Sequence, residues 1–181
     1  MSDYINNNIR QLEPSDFTLA AEVIRLSFAT VAKDLDLTEQ NCPQYVGFVT
    51  TAERLQTHHG WGWRMYGLYE NERFIGYGSI SKEADGIYEI HNLAVLPEYR
   101  HKSYGKQLLN FCMVRVMKLG GDKVTISIIE ENTMLKDRYI AYGFVHAGTK
   151  NSNTCCFQAA IWNWRYYRGN QSRSFRRRSG R

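Results

Sequence analysis

Residues 88–109 narrow the choice of folds more than any other part of the chain. They open with the run Tyr88-Glu-Ile-His-Asn-Leu-Ala-Val95, which reads as a strand, and turn at Leu96-Pro97. A short basic loop, Arg100-His-Lys-Ser-Tyr-Gly-Lys106, then leads straight into an amphipathic stretch that reads as a helix. The first amides of a helix have no intrahelical acceptor, and the helix dipole places partial positive charge there. A strand that feeds such a start through a basic loop is an anion site in outline. Lys102 and Lys106 add charge beside it. The anion that suits several convergent amides is a phosphate or diphosphate. The bland alternative is a basic loop that binds nothing.

The flanking sequence supplies a sheet and helices around this unit. Residues 8–12 read as a first strand, and Pro14-Ser15-Asp16 as a helix start. Leu19, Val23 and Leu26 recur at helical spacing through residues 17–32. Residues 33–50 read as irregular, with a turn at Asn41-Cys-Pro43, and Thr51 caps a short helix to about His58. Residues 64–70, 73–81 and 87–95 form a meander with turns at Asn71-Glu72 and Ala84-Asp-Gly86. The helix over 103–119 stops at Gly120-Gly121. The β-branched run 124–129 suits a buried parallel strand. A helix over 132–142 ends at Gly143, and residues 144–149 and 154–162 form a last hairpin. The order β-α-α-β-β-β-α-β-α-β-β predicts an α/β fold with a mixed central sheet. One domain is expected over residues 1–164, followed by a basic, flexible tail over 165–181.

Charge and cysteine usage exclude several classes. The net charge is +5, but residues 165–181 hold seven arginines and no acid, so the remainder carries −2. The folded body is close to neutral, which argues against nucleic-acid binding by the body. Only the tail, with Tyr166, Tyr167 and Phe175 among its arginines, keeps an RNA-associated reading open. No apolar run is long enough to span a bilayer, and the N-terminus lacks the basic and apolar regions of a signal peptide. Cys42, Cys112, Cys155 and Cys156 form no Cys-x-x-Cys pair, which predicts reduced thiols in a cytoplasmic protein. His58 and His59 do not share a helix face, and no acid or thiol completes a ligand set, so no metal is expected.

Two segments resemble a known family. Arg100-His-Lys-Ser103-Tyr-Gly105 is similar to the acetyl-CoA-binding motif of the GNAT family of N-acetyltransferases. There an Arg or Gln is followed after two residues by Gly, and after one more by Gly or Ala. Ser103 stands at the first glycine position. Leu93-Ala-Val95 with Pro97 resembles the strand end that precedes the motif. Asn132-Thr-Met-Leu-Lys-Asp-Arg-Tyr139-Ile-Ala-Tyr-Gly143-Phe144 is similar to the family's fourth-helix signature, with Asn, Tyr and Gly-Phe at matching spacings.

The resemblance implies the GNAT fold, in which the strands ending at Val95 and near Ile129 splay apart around the pantetheine arm. It implies acetyl-CoA as co-substrate, no metal, an amine acceptor as partner, and is compatible with a homodimer. Arg100, His101, Lys102, Ser103, Tyr104, Gly105 and Lys106 would hold the diphosphate, mostly through backbone amides. Leu93, Ala94 and Val95 would bond the pantetheine through backbone groups. Asn132 would cap its helix and approach the cofactor. Tyr139 would protonate the departing thiolate, and Glu89 would deprotonate the amine directly or through water. His91 shares a strand face with Glu89 and is a partner or substitute base.

Plainer readings stand beside these. Tyr139 is then a core residue, Glu89 lies on a solvated face, and Trp61 and Trp63 only pack. Asp34, Asp36, Glu39 and Tyr45 either attract a cationic acceptor or form a solvated acidic loop. The function expected is acetyl transfer to a primary amine of a small molecule or peptide by direct attack. A non-catalytic CoA-sensing module and an RNA-associated protein are the alternatives.

Overall fold

A computed structural model describes residues 8–151 and 158–166. Its strands are β1 (Ile9–Gln11), β2 (Arg64–Glu70), β3 (Arg73–Ala84), β4 (Ile87–Val95), β5 (Lys123–Ile129), β6 (Val145–Asn151) and β7 (Gln158–Arg165). Its helices are α1 (Phe17–Asp34), α2 (Val46–Val49), α3 (Ala52–Gly60), α4 (Tyr104–Lys118) and α5 (Thr133–Ala141). The strands form one sheet in the order β1-β2-β3-β4-β5-β7-β6, with β4 and β5 parallel and the other neighbours antiparallel. The α/β class and the mixed sheet follow the sequence pattern.

Local chemistry explains the boundaries. Asn71 and Glu72 both have positive φ (48° and 61°), the twist a two-residue hairpin needs to match its strands. Thr51 accepts from the Arg54 amide and Asn132 from the Leu135 amide, so both act as N-caps. Residues 33–50, irregular by sequence pattern, hold the one-turn helix α2. Four residues are too few to show a helical period. β7 runs through Arg165, which pairs with Lys123, and the Tyr166 amide donates to the Asp122 carbonyl. The sheet thus reaches past residue 164, and the rest of the arginine-rich tail lies outside the described residues.

The sheet separates two apolar layers. On one face α1 and α3 bring Phe17, Ile24 and Leu55 against Met65, Tyr77 and Ala94. On the other, α4 and α5 bring Leu108, Cys112, Val116 and Tyr139 against Ile90, Val124 and Ile126. A smaller cluster of Ala32, Leu37, Cys42 and Tyr45 closes the chain after α1. Cys112 is a buried free thiol, whereas Cys42 is disulfide-bonded. That corrects the expectation of reduced thiols at Cys42 and removes the thiol argument for a reducing compartment. Its partner lies outside the described residues. No described helix is long and apolar enough to cross a membrane.

Candidate active site

The pairing of β4 with β5 ends at Ile90 and Ile126. Beyond that point the two strands no longer share a ladder, and the backbone of residues 91–95 presents an open edge inside the sheet. A bulge sits at the same place. Asn92 has φ 51°, and the β3–β4 register shifts between Tyr77 and Ser79. Asn tolerates the left-handed region better than most residues. The bulge changes which residues face which layer. Glu89 and His91 stay on the face of α1 and α3, Leu93 turns toward α4, and Ala94 is buried against α1.

The basic loop joins this open edge to α4. His101 and Ser103 are both left-handed, with φ 63° and 64°. Successive left- and right-handed residues turn their amides to one side, which makes a concave anion site. Ser103 is the N-cap of α4, yet at φ 64° and ψ 8° its hydroxyl caps nothing. The first helical bond runs from the Gln107 amide to the Ser103 carbonyl, leaving the amides of Tyr104, Gly105 and Lys106 directed outward. A Cβ on Gly105 would come within 4 Å of one neighbouring atom, Val95 Cγ2 at 4.0 Å. The space over these amides is open, and a small side chain fits there.

The two lysines of the loop lean on aromatic rings. Lys102 Nζ lies 5.2 Å from the Tyr99 ring centre, and Lys106 Nζ lies 5.9 Å from that of Tyr142. The Arg100 side chain turns the other way. Its guanidinium donates to Thr30 Oγ1 at 2.8 Å, to the Ser27 carbonyl at 2.7 Å and to the Val95 carbonyl at 3.2 Å. Burial, and then nearby Arg138, lower its pKa. Arg100 ties the end of β4 to α1, and its side chain does not join the amide cradle.

Glu89 and His91 belong to a bonded network on the opposite side of the opening. Ser127 Oγ donates to Glu89 Oε1 at 2.9 Å. Burial raises the Glu89 pKa, with the Ser127 bond pulling the other way. Ser81 Oγ donates to Glu83 Oε1 at 2.5 Å and lies 2.8 Å from His91 Nε2. Ser81 has one proton, and Glu83 receives it. Nε2–H of His91 is therefore the donor to Ser81, and its bare Nδ1 faces Glu89 Oε1 at 3.8 Å. Burial lowers the His91 pKa to about 4, so the ring is neutral at neutral pH. Trp63 stacks on His91 at 4.0 Å and His58 on Trp63 at 4.2 Å, which fixes the imidazole plane. Sequence reasoning found Glu89 and His91 but missed Ser81, Glu83, Ser127 and this stack. Among the described residues Glu83, Glu89 and His91 are the one metal-type cluster, with Ser81 bonding Glu83 and His91 and Ser127 bonding Glu89.

Tyr139 lies on α5 within the α4-side core, edge-on to Phe144, and is 5% exposed. Burial pushes its hydroxyl up to about 12, which keeps it protonated. Asn132 caps the same helix.

The comparisons agree with this architecture. A PaiA N-acetyltransferase from Thermoplasma acidophilum, solved with coenzyme A, superposes with a TM-score of 0.73 at 21% identity, covering 87% of this chain and 98% of its own. The ribosomal-protein-S18-alanine N-acetyltransferase of Escherichia coli gives a TM-score of 0.68 at 16% identity, covering 92% and 98%. The yncA protein of Salmonella typhimurium, solved with its cofactor acetyl-CoA, gives 0.65 at 17% identity, covering 87% and 92%. No curated protein sequence matches the chain. The model of the acetyltransferase (GNAT) family matches residues 31–144, which span the opening, the cradle and Tyr139. The chain belongs to the GNAT acetyltransferase family.

Proposed function

We propose that this protein transfers the acetyl group of acetyl-CoA to a primary amine of a small molecule or peptide. The observation that carries the reading is the junction of two features. The left-handed loop at His101 and Ser103 aims the α4 amides beside an open strand edge that starts at His91. When bound, acetyl-CoA supplies a thioester that an amine can attack directly. The amides of residues 101–106, with Lys102 and Lys106, hold the diphosphate. The unpaired edge of Leu93, Ala94 and Val95 receives the pantetheine amides.

Glu89 takes the proton of the incoming ammonium, through a water where direct contact is too long. Its raised pKa makes the carboxylate a better base than an exposed glutamate. The bare Nδ1 of His91 lies 3.8 Å from the Glu89 carboxylate, too far to share the proton in this arrangement. Tyr139 serves the leaving group. A phenol at about 12 is a weak acid beside a free thiol near 8.5. The gap is about 3.5 units, or ~5 kcal/mol, in favour of leaving the proton on the phenol. Tyr139 therefore donates a hydrogen bond to the thiolate first. It surrenders the proton as the thiolate's own pKa climbs in the desolvated cleft.

A panel of amine acceptors, read by release of the CoA thiol, tests this function. Turnover that depends on Tyr139 and Glu89 supports it. Tight binding of acetyl-CoA without thiol release from any amine would instead favour a non-catalytic sensing module.

A further inference from the structure

Two lone pairs face one another over the point where the sheet opens. The β4–β5 ladder ends with Ile90 and Ile126. Glu89 and His91 flank Ile90 and point to the opposite face from it, so the gap between them lies over the parting strands. Glu89 Oε1 and His91 Nδ1 are 3.8 Å apart, with the side chains 22% and 19% exposed.

The surrounding bonds make both atoms acceptors. Ser127 donates its one proton to Glu89 Oε1, which keeps a second lone pair. Ser81 donates to Glu83 and so accepts from His91 Nε2, which leaves Nδ1 bare. Trp63 stacks on the ring and holds its plane. Burial keeps the imidazole neutral, with its pKa lowered to about 4. Neither residue therefore supplies a proton to the gap. Partly buried acceptors that meet without a donor are costly, and a donor placed between them removes that cost. A nitrogen about 2.9 Å from each atom bridges the gap with two ordinary hydrogen bonds. It needs two N–H groups, and a positive charge on it strengthens the bond to the carboxylate. A primary ammonium has both.

We infer that His91 is a binding residue for the acceptor, and that its bare Nδ1 and Glu89 Oε1 seat the acceptor's ammonium by accepting one N–H each. The inference rests on the acetyl-transfer reading and deepens it. Glu89 is the base, and His91 holds the nitrogen while the base acts. Glu89 takes the proton of the N–H it accepts, and the electron pair of that bond stays on nitrogen. The bond to His91 persists, and the freed pair attacks the thioester carbonyl. Ser81 and Glu83 are positioning residues, because they act only through the tautomer of His91.

The test uses the full chain and acetyl-CoA with n-butylamine, benzylamine and Nα-acetyl-lysine amide as acceptors, read by release of the CoA thiol. His91→Phe keeps a ring to stack on Trp63 and removes Nδ1. His91→Gln loses the ring but offers an amide oxygen as acceptor. The acceptor KM should rise about 10–100-fold in His91→Phe, the size of a lost bond to a charged donor, and be partly regained in His91→Gln. The acetyl-CoA KM should stay the same in both. Ser81→Ala lets the ring proton move to Nδ1 and should also raise the acceptor KM alone. A purely structural ring predicts the reverse order, with Gln worse than Phe, and that result would overturn the inference. A second arm needs no turnover. In the coenzyme A complex, n-butylammonium should shift the NMR signal of the His91 Nδ1 nitrogen. Butyltrimethylammonium has the same charge and no N–H, and it should bind about tenfold more weakly or worse and leave that signal unmoved. Equal binding of the two cations would overturn the seat, since charge alone would then hold the ligand. If the shift is seen while no amine is acetylated, the seat stands and the enzymatic reading fails. If amines are acetylated while Nδ1 does not respond and His91→Phe matches the parent, the reading stands and the seat fails. Absence of both acetylation and shift overturns the seat as well.

Discussion

Ser103 offers the sharpest test of how the cradle is built, because its backbone and side chain make opposite demands. At φ 64° and ψ 8° it occupies the left-handed region. For a residue with a Cβ this costs about 1–2 kcal/mol. Glycine has no such penalty, but it gains about 0.5–1 kcal/mol of extra freedom in the unfolded chain. Serine normally recovers energy as an N-cap, worth ~1 kcal/mol. Here the hydroxyl makes no capping bond, so nothing is lost when it is removed. Ser103→Gly should therefore stabilise the protein by about 0.5–1 kcal/mol, given these opposing costs. In a domain of this size that raises Tm by roughly 1–4 °C. Urea titration should show a higher midpoint at unchanged slope, because the surface exposed on unfolding is the same. Ser103→Ala is the control. It keeps the Cβ in the left-handed region, removes the hydroxyl and should gain nothing. Acetyl-CoA affinity of the Gly variant should stay within about threefold, under 0.7 kcal/mol, since the amides remain in place. A Gly variant no more stable than the Ala variant would refute the strain argument. A large loss of affinity would show that the hydroxyl itself holds the ligand.

Tyr139→Phe keeps the ring in its place and should lower turnover by about 10²–10⁴ at similar acetyl-CoA affinity, whereas Glu89→Gln should lose activity that returns in part at high pH, where more free amine is present. Lys102→Glu with Lys106→Glu should weaken acetyl-CoA binding and make it less salt-sensitive; calorimetry with unchanged affinity would remove both from the cradle. His91 takes up a proton at about 4 when folded and near 6.5 when unfolded, with Glu83 and Glu89 facing it and His58 beyond the Trp63 ring. The unfolded chain binds the extra proton, so this stability is present above pH 6.5 and lost as pH falls toward 4. It amounts to roughly 3 kcal/mol, and His91→Gln should flatten the fall of Tm across that window. Arg100→Gln should destabilise the fold by about 2–3 kcal/mol through its lost charge-assisted bonds, with little direct effect on acetyl-CoA affinity. An unchanged Tm with a sharp affinity loss would return Arg100 to the anion site.

The parts legible in the sequence are those set by local chemistry. The positive φ of a two-residue hairpin, the cap at Thr51, the glycine stop after α4 and the Asn at the start of α5 each depend on a few neighbouring residues. The cradle was legible for the same reason, as a basic loop running into a helix. What escaped depends on partners far apart in the chain. Arg100 looked like an anion ligand because it stands at the Arg position of the family motif, yet its side-chain partners Ser27 and Thr30 lie on α1. Ser81 and Glu83 meet His91 only because the β3–β4 register pairs Ser79 with His91 and Ser81 with Glu89. Alternation along β4 correctly placed Glu89 with His91, but it fails beyond Asn92, where the bulge sends Leu93 to the α4 side and Ala94 to the α1 side. The same bulge stands where the β4–β5 ladder stops. One left-handed Asn thus ends the alternation the sequence can be read by and marks the point where the sheet opens. A strand that stayed regular would have been easier to read, but it would have carried the Glu89–His91 face onward to Leu93 and left Ala94 facing α4.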